Sequence, residues 1–272
     1  MTHAESVLLY LDFDGVVCDS ERECFVSSWL TYRALAGGAD VGAPRINLRT
    51  RHRFRQMRPL IRSGEDYVVI QQILTREDAE QGFEGPATQS TFDAYRDRLG
   101  SQCMARYKNA MAATRNDFLA RDKAQWLALN RLYPHMHRLL ADRDLTNVRI
   151  LSTKAAPLVC EILRAHRIPI PEHAVFHAAS NPDGTDMRKL DMIAGHLDRV
   201  PGTHALFVED QLDHLLGNAD PRITTCLADW GYVLPEWFAD HRLLHREQVR
   251  VVGADRMPGL FDHASSPAAR IT

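Results

Sequence analysis

The chain is predicted to fold as an α/β protein, a Rossmann-like, doubly wound parallel sheet interrupted by an all-helical insertion. Three observations lead there. Short aliphatic runs at residues 7–11, 148–151, 205–208, 223–227 and 249–252 have the length and β-branched content of buried strands. Helical patterns at 156–166 and 189–197 alternate with the later runs, which argues for a parallel sheet with helices on both faces. Between residues 21 and 132 the pattern changes to long amphipathic stretches, at 22–35, 65–74, 91–113 and 117–132, with no strand signal. The domains predicted on this basis are a Rossmann-like core from 1–20 and 133–265, a helical insertion at 21–132, and a small polar tail at 266–272. Gly37, Gly38, Gly42 and Pro44, then Gly82, Gly85 and Pro86, punctuate the insertion.

Composition narrows the function classes. The 272 residues are 45% hydrophobic and 25% charged with a formal net charge of −2, which describes a folded protein and gives no global nucleic-acid footprint. Five cysteines, an odd count with no CxxC pair, suggest neither a disulfide framework nor a zinc knuckle and fit a reducing, cytoplasmic setting. The first apolar run is too short to span a membrane or to form a signal-peptide core. No membrane or nucleic-acid partner is therefore expected.

The chemistry is carried by residues at the ends of the strand runs. The first run ends in Asp12-Phe13-Asp14-Gly15, and ligands in open α/β sheets bind at the strands' carboxyl ends. In extended chain, residues i and i+2 point the same way, so Asp12 and Asp14 can converge on one site while Phe13 packs away. Gly15 permits the sharp exit. A carboxylate can attack phosphorus, but it needs cationic help against the substrate's own charge, which a hard divalent ion such as Mg2+ supplies. The partner carboxyl can protonate the leaving oxygen and later activate water. Downstream, 150–154 reads Ile-Leu-Ser-Thr-Lys, placing the Ser152 and Thr153 hydroxyls at the same edge, where they can donate to phosphate or cap the next helix; Ser152 is the preferred donor. Lys189 opens a helical pattern after a loop holding Pro182, Asp183 and Gly184, with Arg188 as a competing cation. The run 205–208 leads into Glu209 and Asp210, a second acidic pair suited to sharing Mg2+, with Asp210 the preferred ligand and Asp213 a supporting acceptor or the cap of a helix beyond it.

In this order these residues, DFDGVVCDS, then Ser152, then Lys189, then VEDQ, resemble the haloacid dehalogenase-like superfamily. The resemblance implies that Asp12 is the nucleophile, Asp14 the general acid/base, Ser152, Thr153 and Lys189 the phosphate ligands, and Asp12, Asp14, Glu209 and Asp210 the Mg2+ site. The long helical insertion is similar to the cap of the phosphoglycolate phosphatase and β-phosphoglucomutase branch. The expected activity is Mg2+-dependent hydrolysis of a small phosphate monoester. Glu209-Asp210 looks like the pair of the mutases, which leaves a phosphomutase as an alternative, and a catalytically silent binding protein as a third.

Within the insertion, seven arginines (Arg45, Arg49, Arg51, Arg53, Arg55, Arg58 and Arg62) fall between Val41 and Gly64 with no acidic residue among them. Most are read as a solvated face balanced by Glu65, Asp66, Glu77, Asp78 and Glu80. Arg58 and Arg62 are the candidates for gripping substrate, on one helical face if Pro59 begins a helix. His135 and His137 suit no familiar zinc motif and are read as structural or surface residues, while Trp126, Trp230 and Trp237 are expected to pack the core or the boundary of the insertion.

Overall fold

The computed structural model describes residues 6–37, 48–77, 88–178 and 187–265. Gly38, Gly42, Pro44, Arg45, Asp78, Glu80, Gly82, Gly85, Pro86, Pro182, Asp183, Gly184 and the tail at 266–272 lie outside the described residues. The strands are β1 (Ser6–Leu11), β2 (Cys18–Asp19), β3 (Arg131–Leu132), β4 (Val148–Ser152), β5 (Val175–His177), β6 (Thr203–Glu209), β7 (Ile223–Ala228) and β8 (Arg250–Val252). Six of them form one sheet in the order β5-β4-β1-β6-β7-β8, while β2 and β3 pair with each other. Every pairing in the six-stranded sheet is parallel. The chain steps outward from β1 through β4 to β5, then returns to β6 on the other side of β1 and steps outward again. That reversal places a topological switch point at β1, where such sheets open a crevice at their carboxyl ends.

Parallel strands are covered on both faces, which is why they read as continuous apolar runs and not as alternating ones. From Val7 to Leu11 every residue of β1 is buried. The register is fixed at the end that matters: Leu11 pairs with Ile150 of β4 on one side and with Val208 of β6 on the other. The residues just past each strand therefore emerge at one level of one sheet edge.

The chain divides into two compact units, Met1–Asp19 with Leu132–Thr272, and Ser20–Arg131. The second unit holds α1 (Glu21–Leu35), α2 (Leu48–Met57), α3 (Asp66–Glu77), α4 (Gln89–Arg121) and α5 (Lys123–Ala128). Phe25 of α1 meets Phe54 of α2 edge-on at 5.1 Å, and Phe54 stacks on Tyr67 of α3 at 6.1 Å, so three helices share an aromatic seam. The Arg115 guanidinium of α4 donates to both oxygens of the wholly buried Glu23 of α1 at 2.9 and 3.0 Å.

Two expectations about this unit are corrected. The helices expected at 91–113 and 117–132 are replaced by one long α4, broken at Gly100 (φ 77°, ψ 160°), and by the short α5, whose N-terminus Asp122 caps by accepting from the Gln125 N–H at 2.9 Å. A helix pattern survives through 114–116 because nothing there breaks it, whereas Asp122 competes for the backbone as a cap. Residues 131 and 132, expected to end a helix, form β3.

The first unit adds α6 (Pro134–Asp142), α7 (Ala156–Ala165), α8 (Lys189–Leu197), α9 (Pro235–Ala239), α10 (His241–Arg246) and α11 (Met257–Ser265). One core face joins Tyr10, Leu151, Ala205, Phe207 and Leu227 of the sheet to Leu190, Ile193 and Leu197 of α8. Their i, i+3, i+7 spacing is the apolar stripe that holds α8 against the sheet and so aims its first residue, Lys189, at the strand ends.

Candidate active site

Asp12 leaves β1 with its backbone N–H still bonded to the Val208 carbonyl at 2.9 Å. The chain then turns at once: Val17 and Cys18 donate to the Phe13 carbonyl at 3.0 and 2.8 Å, and Gly15 donates to the Cys18 carbonyl at 2.9 Å. Gly15 has φ +100°, and a Cβ there would sit 1.9 Å from Oδ2 of Asp210. Glycine is thus required twice over, by its dihedral and by the carboxylate it faces. The same squeeze occurs at Gly231, where a Cβ would lie 2.4 Å from the Asp210 Cβ.

Lys189 reaches from the first turn of α8 and is nearly inaccessible to solvent. Its Nζ donates to Asp12 Oδ1 at 2.5 Å and to Glu209 Oε2 at 2.6 Å. Burial alone would push this lysine down, but the two carboxylates outweigh it and hold the ammonium firmly protonated. Glu209 uses both oxygens fully: Oε1 accepts the Asp210 and Gln211 N–H groups at 2.9 and 3.0 Å, and Oε2 receives Lys189 and lies 3.0 Å from His214 Nδ1. Burial opposes its charge, yet Lys189 and His214 keep it ionised, well below the ordinary glutamate range. Asp12 goes the other way. Burial first, and then the Glu209 carboxylate, raises its carboxyl above the ordinary range against the pull of Lys189.

Asp210 is buried, and its Oδ2 accepts the Tyr232 backbone N–H at 2.7 Å. Asp12, Glu209 and Asp210 can each turn an oxygen to within 4.8 Å of the others. The fit to a metal can be judged from charge and donor type. Three buried carboxyl groups cluster around a single lysine ammonium, which pairs with Asp12 and Glu209, and every donor the cluster offers is a hard oxygen. Such a set suits a divalent cation of the Mg2+ type. Since Glu209 already accepts at both oxygens, Asp12 and Asp210 are the better placed ligands.

Asp14, expected among the metal ligands, does not join that cluster. Its Oδ1 lies 2.9 Å from the ammonium of Lys154, whose side chain is 1% exposed. Ser152 is buried at the end of β4 and its Oγ accepts the Lys154 backbone N–H at 3.1 Å. Thr153 is exposed. Neither hydroxyl caps α7: that helix starts after Ala155 with a proline in its first turn and no side-chain cap bond. Asp213 is exposed and lies inside the three-residue 3-10 turn Leu212–His214; the next regular element is the strand β7, so Asp213 has no helix to cap. Arg188, the competing cation, turns away to the Leu216 and Gly217 carbonyls at 2.9 and 3.3 Å.

The two arginines singled out in the insertion do not share a helical face. Pro59 lies in a 3-10 turn, Arg58–Leu60, which gives way to extended chain at Ile61. Arg58 is buried with its guanidinium 5.0 Å from the Tyr67 ring centre. Arg62 forms a two-pronged pair with Asp93, at 2.5 and 3.1 Å. Among the described residues two of these arginines have identified acidic partners; Asp78 and Glu80, also expected to balance the run, lie outside the described residues. Arg51 finds Glu21 and Arg62 finds Asp93, while Glu65 and Asp66 face Arg96. His135 packs edge-on against Trp230 at 4.9 Å, and the Trp230 indole N–H donates to the Val16 carbonyl at 3.1 Å.

Sequence reasoning missed Lys154, His214 and the Tyr232 N–H. Lys154 carries a signal that could have found it: it ends the run of hydroxyls and charge that leaves β4. The other two carry none, being a side chain five residues past Glu209 and a backbone group.

No protein-family model matches the chain. No curated protein matches it. Solved structures do. The fold is similar to that of a hydrolase of the haloacid dehalogenase-like family from Streptococcus pneumoniae, at 17% identity and TM-score 0.52, covering 96% of this chain and 100% of that one. It is also similar to a predicted phosphoglycolate phosphatase from Haemophilus somnus, at 15% identity and TM-score 0.55, covering 96% and 99%. At these identities the likeness defines the fold: this chain has the haloacid dehalogenase-like architecture. Among the described residues, no helix is long and apolar enough to cross a membrane.

Proposed function

We propose that the chain is a phosphoryl-transfer enzyme of the haloacid dehalogenase-like superfamily, a Mg2+-dependent phosphatase acting on a small phosphate monoester. The observation that carries this reading is the buried set at the switch point of the sheet, Asp12 held by Lys189 beside Glu209 and Asp210, with Asp14 and Ser152 at the same strand ends. A binding protein has no use for a desolvated carboxylate backed by a committed lysine, and the fold's solved relatives carry hydrolase and phosphatase descriptions. Residues 21–132 are assigned the role of a cap that governs access, and the chain is placed in the cytoplasm.

In this reading an Asp12 oxygen attacks phosphorus as the bond to the leaving oxygen breaks, and Asp14 delivers the proton that oxygen needs. Water then attacks the aspartyl phosphate, its proton returns to Asp14, and the phosphorus bond to Asp12 breaks. Lys189 stabilises charge on the transferring group and Ser152 donates to it. Bound at Asp12 and Asp210, Mg2+ would neutralise the charge of nucleophile and phosphate. The pair Glu209-Asp210 favours a second reading, a phosphomutase using the same residues, and product analysis with a sugar phosphate separates the two. The test of the main reading is hydrolysis of p-nitrophenyl phosphate and a panel of alkyl phosphates by the purified chain. Turnover is expected with Mg2+ and not with EDTA, and absence of turnover across the panel with metal present would overturn it.

A further inference from the structure

We infer that Lys154 is a positioning residue for proton transfer, holding the Asp14 carboxyl in place for both halves of the reaction. The inference rests on the phosphatase reading and goes beyond it, since none of the roles given there uses this lysine. Its ammonium is buried, with 1% of the side chain exposed, and lies 2.9 Å from Asp14 Oδ1. It also sits 5.7 Å from the centre of the Phe13 ring, the residue between the two aspartates. Its backbone is tied as well, because the Lys154 N–H donates to the Ser152 hydroxyl at 3.1 Å.

Burying a lysine is unfavourable, and an apolar side chain of similar volume would stabilise this edge of the sheet at least as well. A buried cation with its charge on one oxygen of a carboxylate makes physical sense where that carboxylate's orientation matters. Asp14 needs such a restraint. It stands in the tight turn after β1, and its side chain is 14% exposed, the least enclosed of the acidic groups at the site. Each of the two reacting carboxyls thus has a buried lysine beside it, delivered by a different element: Lys189 of α8, shared with Glu209, for the nucleophile, and Lys154 past the end of β4 for the proton carrier.

Proton transfer gives the test a signature that a merely structural role lacks. p-Nitrophenolate leaves without a proton, so phosphorylation of Asp12 by p-nitrophenyl phosphate does not need Asp14, whereas departure of an alkoxide and the later attack of water both do. Rapid-mixing kinetics on Lys154→Met, with Lys154→Gln as the variant that keeps a donor and Lys154→Arg as the one that keeps the charge, are compared with Asp14→Asn. The expected result is a p-nitrophenolate burst at a rate within about 3-fold of the wild type, with steady-state turnover lowered roughly 10- to 100-fold. Alkyl phosphates should lose turnover by more, Lys154→Arg should recover part of it, and Lys154→Met should cost nothing further in an Asp14→Asn background. A burst slowed as much as turnover, or losses that multiply with Asp14→Asn, would overturn the inference. Wild-type inactivity towards every phosphate ester would instead remove the phosphatase reading itself, so the two failures are distinct.

Discussion

Asp12 stands between opposing demands. The role proposed for it, nucleophile, requires an ionised carboxyl, yet burial and the adjacent Glu209 both favour the protonated form, and only Lys189 counters them at 2.5 Å. A divalent cation would settle the balance, which is the physical reason for tying activity to metal. Gly15 shows how closely the site is fitted around that cation's expected ligand. A methyl group there would overlap Asp210 Oδ2, and an L-residue at φ +100° is strained in its own right. Gly15→Ala should therefore displace Asp210, weaken Mg2+ binding by more than about 10-fold as read by calorimetry, and cost about 1–3 kcal/mol of stability in urea unfolding. Unchanged Mg2+ affinity in a folded variant would show that Asp210 does not hold the metal.

At the scale of elements, the Glu23–Arg115 pair ties α1 to α4 inside the helical unit. Both partners are buried, so removing one leaves the other's charge without its match. Arg115→Met should lower stability by about 3–5 kcal/mol in urea unfolding, and Glu23→Leu added to it should restore part of the loss. A double variant as unstable as the sum of the singles would mean that the two residues act separately. The same scale shows what the sequence made legible. β1, β4, β6 and β7 were readable because strands covered on both faces are largely apolar runs, and the exposed edge strand β8 because valines at 249, 251 and 252 flank Arg250. β5 was not, since Val175–His177 has one β-branched residue and ends in a histidine, and takes its place from pairing with β4. Asp12, Asp14, Ser152, Lys189, Glu209 and Asp210 could be picked out because each is polar at the end of an apolar run or the start of a helical one. Their partners could not: the pairing of Lys154 with Asp14, of His214 with Glu209 and of the Tyr232 N–H with Asp210 are products of tertiary geometry. Arg58 and Arg62 were placed on one helix by a proline that opens only a 3-10 turn, and Gly100, read as part of a helix, is where α4 breaks.

For the whole molecule, the strand order explains how residues as far apart in sequence as Asp12, Ser152 and Asp210 come to lie along one edge of the sheet. The reversal at β1 leaves its carboxyl end open between β4 and β6, and the Leu11, Ile150 and Val208 register brings the three strand ends level. The fold is shared with solved haloacid dehalogenase-like structures at identities of 15–17%, and what makes this chain a candidate enzyme is the charge arrangement at that opening. The central claim is that Asp12 carries the phosphoryl group, and the most direct measurement is to quench the Mg2+-loaded protein with acid during turnover of a phosphate ester and map the modified peptide by mass spectrometry. Phosphate on Asp12, absent in Asp12→Asn, is the predicted result; sustained turnover with no phosphoenzyme, or with the phosphoryl group on another residue, would contradict it.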